Sequence, residues 1–322
     1  MRAMHVVLVC VLSLPALAAA QAQTFPAKPV RMVVGFAPGG ATDLTARVLA
    51  PKMTEGFGQS VVVENRAGAS GMIAAEFVAK APPDGHTLIM ATQTTHAVAP
   101  SLYRKITYDV QRDFAPVSLA AHAPLMLVVH PSLPVKSVKE LIAFVKARPG
   151  QLNFGSGGIG TSPHMSGELF NTMAGLKSTA IHYKGEAPAI TDLLGGQVPY
   201  MFANVPTVLP HVKSGKLKAF AVTSTQRVTT AADIPTVAES GLPGYEVTTW
   251  FGVFAPAATP REVVARVQSE IARAITHPEV KERIGSQGFV LVGNTPAQFA
   301  EFVKAELVKW ARVVKASGVT AD

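Results

Sequence analysis

VRMVVGFAPGGATDLTARVLA, residues 30–50, runs from an apolar β-type segment through a Pro-Gly-Gly turn into an amphipathic helix. A helix start leaves about four backbone N–H groups without intrahelical partners, and the macrodipole sets partial positive charge beside them. Gly39 and Gly40 carry no side chain that would hold a ligand off this backbone, and Thr42 or Asp43 can cap the helix. The stretch is therefore expected to seat an anion, a carboxylate or a phosphate.

The same strand, glycine turn and helix logic returns in NFGSGGIGTSPHMSGELFNTMAG, residues 153–175. Ser156, Gly157, Gly158 and Gly160 offer a small, backbone-rich lining, and Thr161 or Ser162 caps the helix with Pro163 in its first turn. Two such turns facing each other across a cleft would pinch an anion from both sides. A hydrogen bond to a charged group contributes roughly 1.5–3 kcal/mol. Four of them reach the roughly 8 kcal/mol of micromolar binding, before the cost of closure, so no arginine is needed.

Competing chemistries fit less well. Residues 155–160 match G-x-G-x-x-G, but a dinucleotide site wants an acidic residue about 20 positions on, where this chain has Ala180, Ile181 and His182. No G-x-S-x-G elbow exists, and Gly68-Ala69-Ser70-Gly71 has the wrong spacing. The histidines at 86, 96, 122, 130, 164, 182, 211 and 277 form no H-x-x-H or H-x-x-x-H pair, so neither metal nor cofactor is expected. His164 and His96 are each either a polar contact to the ligand or a structural histidine. Trp250, with Phe251, either walls the cleft or fills the core. Asn204 ends the apolar strand VPYMFA, where a polar side chain often points into a cleft.

The first 22 residues read as a secretion signal, with Arg2, an apolar run from Val6 to Leu17, and small residues leading to a cleavage site near Ala20-Gln21-Ala22. The run is too short to span a bilayer. Cys10, the only cysteine, lies inside it, so the exported chain would form no disulfide. About 300 remaining residues exceed a single core's usual limit, so two lobes are expected. The formal charge of +8 is spread without a block of like sign or interleaved aromatics, which argues against nucleic acid and suits small anions.

Strand-like runs (VRMVVGF, SVVVENR, HTLIMAT, LMLVVH at 125–130, STAIHY, VPYMFAN, LKAFAVT, WFGVFAP at 250–256) alternate with helical ones. That alternation predicts an α/β fold with parallel sheet covered by helices. Ser137 with Glu140, Thr259-Pro260 with Glu262, and Thr295-Pro296 with Gln298 have helix-start spacing. Turn-rich composition between residues 226 and 249 suggests a return crossing. Lobe one is read as residues 25–124 plus 251–322, and lobe two as residues 125–250.

These segments, with PDGHTLIMAT, HYKGEAPAITDLLGGQV and IPTVAESGLPGYEVTTWFGVFAP in order, resemble the tripartite tricarboxylate transporter substrate-binding proteins, the Bug family. The resemblance covers essentially the whole exported chain. It implies a type II periplasmic-binding-protein fold, two α/β lobes with a ligand cleft between them, and a ligand carboxylate held between the turn from Phe36 through Ala37 to Asp43 and the turn from Ser156 to Thr161. Contacts from Thr92, Thr94 and His96 are implied to vary with the ligand. So are a di- or tricarboxylate, acidic amino acid or aromatic acid as ligand, two membrane subunits of a secondary transporter as partners, a periplasmic location, and no catalysis. A monomer is expected, since a receptor must offer both lobes to its partners. Gly35, Ala37, Ala41 and Ala99 depart from the family's usual residues. Two other readings use the same cleft: a ligand-presenting partner of a membrane sensor kinase, and an enzyme acting on a small acid.

Overall fold

The computed structural model describes residues 25–321; the expected secretion signal and cleavage site, with Cys10, lie outside them. The chain begins with β1 (Val30–Val34), α1 (Ala41–Phe57), β2 (Val61–Asn65), α2 (Met72–Ala79) and β3 (Thr87–Thr92). β1 runs parallel to both β2 and β3, as an apolar strand flanked by helices should. A π-helical turn at Thr94–Val98 leads into α3 (Ala99–Leu102), and then into the 16-residue β4 (Phe114–Val129).

The chain continues as α4 (Val138–Lys146), β5 (Asn153–Ser156), α5 (Ser162–Ala174), β6 (Thr179–His182), α6 (Glu186–Leu194), β7 (Tyr200–Asn204), α7 (Val205–Lys213) and β8 (Lys218–Val222). The chain returns through β9 (Thr248–Pro256) and closes with α8 (Arg261–Thr276), α9 (Pro278–Gly285), β10 (Val290–Leu291) and α10 (Pro296–Ser317).

The strand order β2-β1-β3-β9-β4-β7-β5-β6 puts β4 in the middle of everything. Its first part, Phe114–Pro124, lies antiparallel to β9, whereas Leu125–Val129 lies antiparallel to β7 and β8. One strand thus belongs to both sheets, and changes allegiance between Pro124 and Leu125. Thr248 pairs with Pro124, so the chain is back in the first sheet three residues before 251.

Expected strand 125–130 proves to be only the end of β4. Prolines 116 and 124 hide the earlier part, and the ladder accommodates Pro116 by a register shift between Pro116 and Ser118. Ser137 caps α4, and Thr295 with Gln298 forms a complete capping box on α10. Thr259 does not cap: α8 starts from Pro260 without a side-chain cap, and the Thr259 hydroxyl is buried without a partner. Two helices were expected after β9, and α9 is a third, opened by His277 rather than by serine or threonine. α10 crosses behind the first lobe, where Phe299 packs on Trp250 and Phe254 of β9. Glu306 accepts hydrogen bonds from the indole N–H groups of both Trp250 and Trp310, each at 2.9 Å.

Candidate functional site

The cleft between the lobes holds a cavity with about 380 Å³ of empty space, its open mouth included. Four helix starts form its walls. Gly40, Ala41 and Thr42 open α1; Thr161, Ser162 and Pro163 open α5; Glu186 is the first residue of α6; and Asn204 immediately precedes α7. Phe36, Thr92, Thr94, Gly157 and Thr249 fill the gaps. Each helix start contributes partial positive charge, so the cavity favours an anion although no lysine, arginine or histidine lines it among the described residues.

The first turn is fastened from behind. Gly39 takes φ +86°, a conformation glycine adopts without strain, and its N–H donates to Asp43 Oδ2 at 2.9 Å. Asn65 Nδ2 donates to Asp43 Oδ1 at 2.8 Å and to the Phe36 carbonyl at 3.0 Å. Burial pushes the Asp43 carboxyl up, but the hydrogen bonds from Arg47, Gly39 and Asn65 outweigh it and leave the group below its usual value. The N-cap is Gly40 rather than Thr42, and Asp43 holds the loop rather than facing the cavity. Ala37 and Gly39 also stay behind the lining. Ala37 N–H instead donates across the cleft to the Lys184 carbonyl at 3.3 Å, and Gly39 faces Ala187.

The second turn is built by its own polar groups. Ser156 Oγ and Thr161 Oγ1 both donate to the Gly158 carbonyl, at 3.0 and 2.7 Å, and Gly160 N–H donates to His164 Nδ1 at 3.0 Å. Gly158 at φ +129° faces Ser70 across the cleft, and a Cβ on Gly160 would strike Leu102. Ser156, Gly158, Gly160 and His164 therefore shape the turn, and Gly157 and Thr161 are what it presents to the cavity. Burial, aided by the neighbouring His182, lowers the His164 pKa to about 3, consistent with a neutral ring accepting from Gly160.

Two expected contacts turn away. His96 is fully buried, its ring 4.3 Å from that of Phe254 and 4.5 Å from that of Phe114. Trp250 is engaged with Glu306 and α10, and because strand side chains alternate, its neighbour Thr249 faces the cavity instead. Phe36, Gly40, Thr42, Thr92, Thr94, Gly157, Thr161 and Asn204 do line the cavity, joined by Ala41, Ser162, Pro163, Glu186 and Thr249. Glu186 had a readable signal: STAIHY, Gly185 and a helix start repeat the strand, glycine, helix pattern a third time.

Several buried polar atoms of this lining have no hydrogen-bond partner: Thr92 Oγ1, Thr249 Oγ1, Asn204 Oδ1 and Glu186 Oε2. The other Glu186 oxygen accepts from the Asn204 backbone N–H at 2.5 Å and from Asn204 Nδ2 at 2.9 Å. Buried polar groups are normally satisfied, so four bare atoms in one lining make it the candidate place for ligand hydrogen bonds. A second interlobe hydrogen bond, from Tyr103 Oη to the Ile159 carbonyl at 3.4 Å, seals the rim.

The sequence profile of the tripartite tricarboxylate transporter family receptor matches residues 45–319. The chain belongs to this family. It is 41% identical to protein BugT of Bordetella pertussis over 298 residues, covering 92% of this chain and 91% of the relative. Rpa4515 of R. palustris, solved with adipate, superposes with a TM-score of 0.89 at 40% identity, covering 92% of this chain and 99% of that one. MatC (Rpa3494) of Rhodopseudomonas palustris, with bound malate, gives 0.87 at 35% identity, covering 90% and 100%. Members of this receptor family are periplasmic solute receptors, and among the described residues no helix is long and apolar enough to cross a membrane.

Proposed function

We propose that this protein is a periplasmic receptor that closes its lobes over a small carboxylate and delivers it, as a monomer, to two membrane subunits of a tripartite transporter. One observation carries the reading: four helix starts converge on a single cavity whose buried polar atoms lack partners. Adipate and malate in the structural relatives support the same ligand class. The carboxylate would sit between the α1 start, at Gly40–Thr42, and the turn holding Gly157 and Thr161, with Thr92 and Thr249 beside it. Lobe limits of 25–124 plus 251–322 and 125–250 agree with the change of sheet at Pro124, with Thr248–Trp250 already returning to the first lobe. Export would follow removal of the first 22 or so residues. The protein binds without catalysing: Ser156 and His182, 3.0 Å apart, are tied into the turn and absent from the cavity lining.

The test is calorimetry of the exported chain, refolded free of carried-over ligand, against a panel of aliphatic and aromatic acids. Saturable binding at micromolar or tighter affinity, with the acid recovered unchanged, is the expected result. Indifference to every acid overturns the receptor reading, and conversion of one overturns the absence of catalysis.

A further inference from the structure

A carboxylate receptor has little obvious use for a carboxylate in its own wall. Glu186 is the only charged side chain lining the cavity among the described residues, and it is more than nine-tenths buried. The local bonding fixes what it shows the ligand. Oε1 is taken by both N–H donors of Asn204, which leaves Oε2 unpartnered. Because Asn204 Nδ2 must point at that carboxylate, the amide cannot turn over, and its Oδ1 is the atom left bare. Thr207 Oγ1 donates to the Asn204 carbonyl and holds the residue in place. Glu186 Oε2 and Asn204 Oδ1 are thus two buried acceptors of the lining without a hydrogen bond, and the Thr249 hydroxyl is a third unpartnered group of the same lining. Burial pushes the Glu186 carboxyl up, and Asn204, the Thr207 hydroxyl and the Ala41 backbone N–H act against that rise.

Resting on the receptor reading above, we propose that Glu186 and Asn204 form a cation subsite, and that the ligand is an amino acid whose carboxylate lies at the α1 and α5 starts and whose ammonium lies against Glu186 Oε2 and Asn204 Oδ1. An ammonium has N–H donors only, so it satisfies both bare acceptors at once. It also neutralises the one charged side chain of the lining, which a ligand bearing only carboxylates would oppose at short range. The subsite thereby separates this chain's ligand from plain diacids such as the adipate and malate seen in its relatives.

Matched pairs sharing a carbon skeleton decide the matter: succinate with aspartate, glutarate with glutamate, propionate with alanine, and phenylpropanoate with phenylalanine. The member with the amine is expected to bind about ten- to a hundredfold tighter in the pair that fits best, the range for one charge-assisted hydrogen bond site. Glu186→Gln is expected to weaken the amino acid while strengthening its amine-free partner, a crossover that a misfolded variant cannot produce. Equal or tighter binding of the amine-free acid by the unaltered protein overturns the cation subsite and leaves the receptor reading intact. So does a Glu186→Gln variant that tightens both members by the same factor, which would make Glu186 a competitor for the anion seat. Binding of no member of any pair, nor of any acid in the wider panel, overturns both.

Discussion

His96 stands two residues beyond Thr94, in a π-helical turn where side chains two residues apart lie on nearly opposite faces. Thr94 consequently meets the cavity and His96 meets Phe114, Phe254 and Tyr108. A sequence that places a histidine just past a strand end does not say which way the turn winds, which is why the residue reads equally well as ligand contact or as core. Its burial has a thermodynamic consequence. Desolvation lowers the His96 pKa to about 3 from an ordinary value of 6.5, so the unfolded chain binds a proton there that the folded chain refuses. The stability this contributes is complete above pH 6.5 and is lost as pH falls toward 3, at about 1.4 kcal/mol per pH unit. Urea denaturation between pH 6 and pH 4 is expected to show a slope shallower by about that amount in His96→Phe than in the unaltered protein. Identical slopes would mean that His96 is already protonated in the fold.

β9 is pinned on both sides, with Gly252 opposite Ala91 of β3 and Leu119 of β4, and it receives α10 on its face. Gly252 makes room for that helix: a Cβ there would lie 2.1 Å from the Phe299 ring. Gly252→Ala is expected to cost about 1–3 kcal/mol by overpacking. Adding Phe299→Leu should return part of the loss, a coupling read from a double-mutant cycle in urea; strictly additive losses would show that the ring was never the obstacle. Elements of this kind mark the border of what a sequence discloses. The strand, glycine, helix repeats at residues 30–50 and 153–175 were legible because local chemistry alone makes them, and so was the capping box at Thr295. Phe114–Pro124 was not, since its prolines look like loop until a partner ladder takes them in, Pro116 at a register shift and Pro124 at the end of the pairing with β9. The same limit divided the site. Gly40, Gly157 and Thr161 follow from the turns themselves, whereas Glu186 and Thr249 matter only because a second lobe folds over to meet the first.

At the scale of the molecule, closure depends on backbone approaching backbone. Gly185, at φ +134°, lies so close to the first lobe that a Cβ would stand 3.1 Å from the Ala37 nitrogen, the donor that bonds Lys184 across the cleft. Gly185→Val is therefore expected to hold the lobes apart while each remains folded, weakening ligand binding by tenfold or more. Small-angle scattering provides the check: the unaltered protein should contract when ligand is added, and the variant should not. Equal contraction in both would move the closing contact elsewhere. The shared strand β4 bears on a different matter, the order in which the molecule is made. Phe114 is hydrogen-bonded into a ladder with the stretch ending at Pro256, so a chain delivered from its N-terminus cannot complete the first sheet until the whole second lobe has followed. Such late, long-range pairing is slow. Were the chain exported as proposed and threaded unfolded through a translocation pore, that delay would serve it, because its own topology would postpone the native state until the thread was nearly through.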